Sequence, residues 1–466
     1  MRSLRAAALL LLIGLVPAHA TELALDKATI GRLKSLPVGQ EFSLDAFPVG
    51  PALNKPVRFH RVEVYAPDAH IFVVTAEGQK EVPRSSRTFL RGYAHDGSAR
   101  VAMSLNADGT FAQGNGSGPD GAFVLHARAD AAGTHHVVAQ TLESTIPAGY
   151  HYDFRCGNEG ETMDVTAPDA PVAAANAVTT AASSPSSFSF GTVAVDTDKL
   201  FMSTLFSNNT TSATNWIAQM FNTMNTMYEN DLNVQLVQGT TFLRVGTDPY
   251  GTITVVPADR TDLDKFGTYW NAHYSSVKRA FATLLSGRGP CSSCGTGCVS
   301  CSASGIAWIN QFCQSGFVGN GGGGTNADFI GSYNIVQVFA SSVIDPAADI
   351  AARLTGHELG HNFGAAHTHC TDKTTGHFDT ATNTIDTCYN GEGASHGGQC
   401  YNGSTLTCPA GGAGSIMSYC NVTGCGGTQN LLQFNGTQIS ATLAPHVAAE
   451  TPGCLYIDEI FKNAFN

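Results

Sequence analysis

The sequence has 466 residues, of which only 13% are charged, and its formal net charge is -12. A chain this acidic and this poor in Lys and Arg lacks the basic surface with which proteins bind nucleic acids or anionic membranes, so we expect neither partner. Its length predicts two domains.

The N-terminus has the pattern of a signal peptide, predicted to span residues 1–20. Arg2 and Arg5 precede an apolar run at residues 6–16, and the small-residue cleavage site Ala18-His19-Ala20 follows. The run is too short to cross a bilayer, and no later stretch reaches the roughly 20 apolar residues required. We therefore expect a secreted protein, extracellular or periplasmic; the alternative is an N-terminal membrane anchor.

Residues 21–164 are predicted to form a small, mainly antiparallel β domain. Apolar and polar residues alternate over Val57–Val64 and Ala99–Leu105, as they do in half-buried strands. Residues 165–187 are almost wholly Ala, Thr, Ser, Pro and Val, which predicts a linker. Because no Lys or Arg lies in it, cleavage there would require self-processing or an enzyme that prefers small residues.

Residues 188–466 predict a second domain of α/β order. Its first elements are a strand beginning at Thr192–Val195, a helix over Ala213–Tyr228, a strand at Asn233–Val237, a helix within Asp262–Leu285 and a strand at Ile306–Ile309. A further helix is predicted to start at Pro346, with Asp345 as its N-terminal cap.

This last helix carries the pattern H-E-x-x-H-x-x-G-x-x-H, with its fixed positions at His357, Glu358, His361, Gly364 and His367. The first two His lie one helical turn apart, where they can share a metal ion. Glu358 lies about 100° around the helix, where it can reach a water without ligating the metal. Gly364 can adopt a positive φ and turn the chain so that His367 becomes a third ligand. Three imidazoles with one open position indicate a catalytic zinc site; the alternative is an ordinary amphipathic helix.

The pattern resembles that of the metzincin proteases, and a second motif strengthens the resemblance. Ser415–Tyr419 resembles their Met-turn, in which Met417 would form an apolar floor beneath the three His. Tyr419 matches a position where astacin-like and serralysin-like members carry a Tyr that ligates zinc or binds the oxyanion; the alternative is that its ring only packs there. The resemblance implies a twisted mixed sheet, an active-site helix and a zinc cleft.

Within this clan the chain is most similar to the reprolysin or ADAM-type proteases. Gly305–Ile309 with Cys313 resembles their edge strand above the cleft, and Phe434 to Cys454 resembles their closing helix and final disulfide. The residue after the third His is Thr368, where reprolysins have Asp, astacins Glu and serralysins Pro. An astacin- or serralysin-like protease is therefore the alternative.

Of the 13 cysteines, Cys156 stands alone in the first 290 residues, and the other twelve can pair among themselves. Arg155-Cys156-Gly157-Asn158 resembles the cysteine switch of metalloprotease zymogens, in which a pro-segment thiolate occupies the open position on zinc. Residues 21–164 would then be an inhibitory pro-domain. The alternative is that Cys156 is buried or bridges to the catalytic domain.

Other candidate ligands lie outside this pattern. The paired cysteines Cys291, Cys294, Cys298 and Cys301 suggest either a second zinc or local disulfides, and their short spacing favours disulfides. His369 could compete with the third motif His. Calcium is possible, but no loop has a recognisable calcium spacing.

The sequence as a whole predicts a zinc endopeptidase that cleaves extended protein or peptide substrates. These substrates would add a strand at the edge of the sheet. The alternatives from other classes are a peptide-binding module without activity and a disulfide-rich structural protein.

Overall fold

The computed structural model describes residues 22–129, 135–145, 152–156, 188–250, 258–287, 301–319, 328–338, 345, 347–378, 382–393, 399–410, 412–423, 425 and 429–457. The predicted signal peptide and linker, Gly157, Asn158 and Pro346 lie outside these residues, as do Cys291, Cys294 and Cys298. In the described part of the chain, no helix is long and apolar enough to span a membrane.

The chain is a mixture of helices and strands. The strands are β1 (Glu22–Ala24), β2 (Glu41–Gly50), β3 (Leu53–Val62), β4 (Ile71–Thr75), β5 (Gly78–Val82), β6 (Thr88–Ala94), β7 (Arg100–Leu105), β8 (Phe111–Gly118), β9 (Gly121–Ala129), β10 (His135–Thr141), β11 (Tyr152–Cys156), β12 (Ser189–Thr197), β13 (Val234–Arg244), β14 (Phe281–Ser286), β15 (Cys301–Ala307), β16 (Phe317–Gly319), β17 (Asp328–Ile330), β18 (Tyr333–Gln337) and β19 (Tyr456–Ile457). The helices are α1 (Lys27–Ser35), α2 (Leu142–Thr145), α3 (Thr210–Leu232), α4 (Arg260–Tyr274), α5 (Asp349–Asn362), α6 (Gly436–Gln438) and α7 (Ala444–Glu450), with π-helical turns at Phe201–Leu205 and Ile439–Leu443 and a 3-10 turn at Thr368–Cys370.

The first sheet is antiparallel and has the strand order β1-β10-β9-β8-β7-β6-β3-β2. Its inner face is apolar, with Phe59, Val101 and Phe123 fully or almost fully buried. Gly116 lies where β8 faces this cluster, and a Cβ there would come within 2.6 Å of the Phe123 ring. The side chains on the inner face of this sheet are therefore closely packed, with no space for a Cβ at Gly116.

The second sheet is mixed and has the order β11-β15-β18-β14-β12-β13-β4-β5, with β19 beside β12. Strands β13, β12, β14 and β18 run parallel to one another, whereas β15 runs antiparallel to β18 and β19 runs antiparallel to β12. Strand β4 adds to β13 in parallel, and β11 adds to β15 in parallel. Two segments from before the linker thus complete both sides of the sheet that follows it.

Helix α3 lies at the centre of the molecule and contacts strands of both sheets as well as α5. Its N-terminus is capped by Asn209, whose side chain accepts from the Ser212 N–H, and it ends at Asn233 in the left-handed conformation. Met220, Met224 and Tyr228 on this helix are fully buried in a core that also contains Val64 and Ile71. Residues from before and after the linker therefore share this hydrophobic cluster, while the first sheet also has a cluster made only of residues before the linker.

Two predicted boundaries differ from the structure. Helix α5 begins at Asp349, because Ala348 before it has a left-handed backbone with φ 55°. Asp345 still caps the helix, since its carboxylate accepts from the N–H groups of Ile350 and Ala351. The strand predicted at Ile306–Ile309 is β15, which begins earlier and ends at Ala307.

Candidate active site

Helix α5 places His357 and His361 on one face, one turn apart, and both side chains are fully buried. The helix ends directly after this pair. Gly364 has φ 102°, in the left-handed region that a side chain rarely adopts, and its N–H donates to the carbonyl of His361. The turn brings His367 back towards the other two imidazoles.

The three imidazoles meet through their Nε2 atoms. The Nε2 of His367 lies 3.3 Å from that of His357 and 3.2 Å from that of His361. The Nδ1 atoms point outwards, those of His357 and His361 to the carbonyl oxygens of Ile416 and Ala365 at 2.8 and 2.7 Å. Because a carbonyl only accepts, these Nδ1 atoms carry the protons, and the Nε2 atoms direct their lone pairs at one another.

This arrangement fits a zinc ion. Lone pairs that converge at this distance repel one another unless a cation lies between them. With zinc–nitrogen bonds of about 2.0–2.1 Å, tetrahedral coordination places two ligand nitrogens about 3.3 Å apart. Burial lowers the pKa of His361 to about 3 and that of His357 well below its usual range, each reinforced by the neighbouring imidazoles, so both remain neutral as ligands require.

Strand β11 delivers Cys156 to the same point. The strand pairs with β15 in parallel, with Cys156 opposite Gly305. The Cys156 Sγ lies 3.6 Å from the Nε2 of His361, and its backbone N–H donates to the hydroxyl of Tyr419 at 2.7 Å. With a zinc–sulfur bond of about 2.3 Å, tetrahedral coordination predicts a sulfur–nitrogen distance of about 3.5–3.6 Å. The thiol is buried and is not part of a disulfide.

Glu358 on α5 lies beside the Cys156 thiol at the same site. Its Oε2 lies 3.7 Å from the Cys156 Sγ, and burial raises the pKa of its carboxyl well above the usual range. Gly305 on β15 makes room for it, because a Cβ at that position would lie 2.3 Å from the Glu358 Oε1. The sequence indicates Gly305 only as part of an edge strand, and its role in admitting the carboxylate appears only in three dimensions.

Met417 is fully buried beneath α5. Its sulfur approaches the helix at Gly360, where a Cβ would lie 2.7 Å from the Met417 Sδ. The Met417 carbonyl accepts from the Thr368 N–H at 3.0 Å, which ties the turn to the segment after the third motif His. The ring of Tyr419 lies 4.6 Å from that of His367, and its hydroxyl contacts the backbone of β11.

Two acidic residues outside the sequence motifs lie beside the site. Glu392 is buried, and its carboxylate lies 2.9 Å from the Nδ1 of His367 and 2.9 Å from the Nε2 of His369. His369 therefore lies behind the third motif His, outside the converging group. Asp386 accepts from the hydroxyl of Ser418 at 2.9 Å. One sequence signal was available: no other Asp or Glu occurs between Asp386 and Glu450 except Glu392.

Disulfides fix the segments around the site. Among the described residues they join Cys313 to Cys454, Cys370 to Cys400, Cys388 to Cys420 and Cys408 to Cys425. Three of these four bonds join cysteines between Cys370 and Cys425, in the segment that follows His367. They hold the irregular segment that carries Asp386 and Glu392 against the imidazoles.

Comparison with known proteins agrees with this geometry. A reprolysin-type family model, described as metallo-peptidase family M12, matches residues 191–434. The chain belongs to this family. M12 metallopeptidases are zinc-dependent, so the match supports a zinc metalloprotease of the reprolysin-like kind and gives no support to the astacin- or serralysin-like alternative.

A fungal relative of this M12 chain is the disintegrin and metalloproteinase domain-containing protein B of Aspergillus fumigatus. The two are 28% identical over 170 residues, a stretch that covers 34% of this chain and 18% of the relative. The aligned part is thus less than a fifth of the relative's length, and the rest of that protein has no counterpart in the alignment.

Proposed function

We propose that the chain is a secreted zinc endopeptidase that is made as an inactive precursor. His357, His361 and His367 would hold one catalytic zinc, and Glu358 would act as general base. Residues 21–164 would be the inhibitory pro-domain, with Cys156 as the thiol that blocks the metal. Residues 188–466 would be the catalytic domain. The observation that carries the proposal is the spacing of the three Nε2 atoms and the Cys156 Sγ, which fits tetrahedral zinc.

The chemistry follows from the side chains around that point. A bound zinc ion supplies Lewis-acid chemistry, lowering the pKa of a water and polarising a carbonyl. Glu358 accepts the proton of the attacking water at a carboxylate oxygen and returns it to the nitrogen of the leaving amine. Tyr419 would donate its hydroxyl proton in a hydrogen bond to the oxyanion once the pro-segment has left.

The pairing of β11 supports inhibition by the pro-segment. A substrate strand would pair with the edge of β15, and β11 occupies that edge. Cys156 enters the site from that strand, and its backbone N–H donates a hydrogen bond to the hydroxyl of Tyr419. The same segment would therefore block the metal, the substrate edge and the oxyanion donor.

Export and processing belong to the proposal as well. The signal peptide 1–20 would direct secretion, to the extracellular space or the periplasm. Cleavage within the linker 165–187 would separate Cys156 covalently from the catalytic domain.

Hydrolysis of unfolded casein by the processed protein tests the enzymatic part. We expect turnover by the parent and loss of at least about 100-fold in kcat for Glu358→Ala, the size expected for removal of a general base. Chelation of zinc should abolish activity, and adding zinc back should restore it. A processed, zinc-loaded parent that leaves casein intact would favour a peptide-binding module instead.

A separate variant tests the inhibitory part. Cys156→Ser in the unprocessed precursor replaces a strong zinc ligand with a weak one, so we expect casein hydrolysis before the linker is cut. Cys156→Ala serves as a second variant, because it removes the ligand altogether. If both precursors fold, bind zinc and stay as silent as the parent, Cys156 is not the inhibitory group.

A further inference from the structure

Glu392 lies between two imidazoles and is almost completely buried. Its Oε2 is hydrogen-bonded to the Nδ1 of His367 at 3.0 Å and to the Nε2 of His369 at 2.9 Å. The two rings are stacked, with centroids 5.3 Å apart and planes 14° from parallel. Two side chains therefore hold the carboxylate. His367 is one of the three imidazoles whose Nε2 atoms meet, and His369 is not.

The third motif His differs from the other two in this contact. His357 and His361 each direct Nδ1 at a neutral backbone carbonyl, that of Ile416 and that of Ala365. His367 directs Nδ1 at a charged group. A carboxylate at this position fixes the tautomer of the ligand, holds the ring in place and makes its Nε2 a stronger donor to a cation than a carbonyl does.

We infer that Glu392 is a positioning residue for the metal: it orients His367 and strengthens it as a ligand. This inference rests on the proposed zinc site. The carboxylate does not touch the reacting atoms, since it lies on the far side of the imidazole from the converging Nε2 atoms.

The surrounding covalent structure seats the carboxylate. The Sγ atoms of Cys370 and Cys400, which form a disulfide, lie 3.0 and 3.8 Å from the Glu392 Oε2. The disulfide closes a loop that starts three residues after His367 and contains Glu392. Both imidazoles hydrogen-bond this same oxygen, His367 through Nδ1 and His369 through Nε2, so the disulfide and the two rings surround it together.

A second metal at this cluster is the competing explanation, because His367, His369, Cys370 and Glu392 lie close enough together to suggest one. Two contacts argue against it. Cys370 is bonded to Cys400 and is not a thiolate. His367 turns its Nε2 to the other motif imidazoles and has only Nδ1 on this side.

The test is the zinc dissociation constant of the full-length precursor, measured by competition with a chelator. Glu392→Gln keeps the size of the side chain and one acceptor oxygen but removes the charge, and we expect about tenfold weaker zinc binding. Glu392→Ala removes the acceptor, and we expect about 100-fold weaker binding.

Asp372→Asn is the matched control. Asp372 is a buried carboxylate in the same disulfide-bonded segment, and it accepts from the backbone N–H groups of Thr374 and Thr375. Since these two bonds stay within the loop, zinc affinity should remain within about twofold of the parent. Near-UV circular dichroism and the melting temperature of each metal-free protein report the fold independently. In the processed enzyme, Glu392→Gln should lower kcat and leave KM unchanged, because the side chain acts on the metal and not on the substrate.

The outcomes distinguish a failure of the role of Glu392 from a failure of the proposed zinc site. A parent that binds one zinc, with both Glu392 variants binding as tightly, overturns the role of Glu392 and leaves the proposed zinc site intact. A parent that binds no zinc overturns the proposed function and this inference together. A purely structural role would appear as a lower melting temperature of metal-free Glu392→Gln with parental zinc affinity, and this also overturns the inference.

Discussion

The carboxylate of Glu229 joins helix α3 to the first sheet, and replacing it with glutamine measures how firmly the two are held. Its oxygens accept from Arg91 at 2.7 Å and from the hydroxyl of Tyr93 at 3.2 Å, and lie 2.7 Å from the Nε2 of His60. The side chains of Arg91 and Glu229 are 0% and 3% exposed. Glu229→Gln conserves the shape but leaves the guanidinium without its counter-charge in a buried place.

Two estimates of the cost agree. Breaking one side of a buried ion pair destabilises a protein by about 3–5 kcal/mol. Burial alone would raise the pKa of Glu229, but His60 and Arg91 outweigh it and lower the pKa to about 2. Relative to an ordinary glutamate near 4.5, that shift corresponds to about 3 kcal/mol at neutral pH, since one pKa unit is worth about 1.4 kcal/mol.

The sign of the pH dependence makes the prediction specific. A lowered pKa in the folded state gives stability that is present above the unfolded pKa and is lost as the pH falls towards the folded pKa. The difference in unfolding free energy between parent and Glu229→Gln should therefore be about 3 kcal/mol at pH 7 and shrink between about pH 4.5 and pH 2.

Urea unfolding of the two precursors, followed by tryptophan fluorescence and circular dichroism, measures this difference, and groups common to both proteins cancel. Asp231→Asn is the matched control, because its pair with Arg100 is more exposed and should cost less. A deficit below about 1 kcal/mol at pH 7, or one that does not change between pH 5 and pH 2.5, would refute the reasoning.

Three further substitutions follow from close contacts and from a buried carboxyl. Gly305→Ala puts a Cβ 2.3 Å from Glu358 Oε1, so the processed enzyme should lose at least about 100-fold in kcat on casein while chelator competition shows zinc still bound. Gly360→Ala places a Cβ 2.7 Å from Met417 Sδ, and urea titration should show a loss of about 1–3 kcal/mol from overpacking. Burial raises the pKa of Asp345 to about 7, so its contribution to stability is full below about pH 3.8 and is lost as the pH rises through 7. Asp345→Asn should therefore gain stability relative to the parent between pH 4 and pH 8, and a constant difference across that range would contradict the assignment.

Local sequence patterns predict the positions of the helices and strands after the linker well, because their signals lie within a few residues. The helix predicted over Ala213–Tyr228 is α3, which extends at both ends to the Asn residues that cap it. Boundaries that depend on a particular backbone conformation were less accurate. The left-handed Ala348 delays the start of α5 by three residues, and nothing in the local pattern requires Ala to adopt that conformation.

Strand pairing between distant parts of the chain could not be predicted in the same way. Strand β4 pairs with β13, and β11 pairs with β15, across sequence separations of about 150 residues or more. Alternation of apolar and polar residues identifies a strand but not its neighbour, because many partners satisfy the same pattern. The sequence therefore predicts two domains but not how they meet. In the structure one hydrophobic cluster contains residues from both regions, while another lies wholly before the linker.

In the candidate site too, residues close together in sequence could be predicted and residues from distant segments could not. His357, Glu358, His361, Gly364 and His367 lie within eleven residues, so helix geometry alone brings most of them together. Residues that support the trio come from elsewhere in the chain. Gly305 lies against Glu358, and Glu392 contacts His367. No sequence spacing connects either residue to the motif.

Thr368 shows how this support follows from chemistry. Reprolysins have an Asp after the third His, and this chain lacks it. Asp386 provides a carboxylate instead, accepting from the hydroxyls of Thr368 and Ser418, while the Thr368 N–H donates to the carbonyl of Met417. A carboxylate therefore still links the segment after the third His to the Met-turn, although it comes from a loop. Because Glu392 lies six residues further along the same disulfide-bonded loop, one segment supplies both carboxylates. The disulfide between Cys370 and Cys400 closes this loop and ties it covalently to the segment that carries the third His.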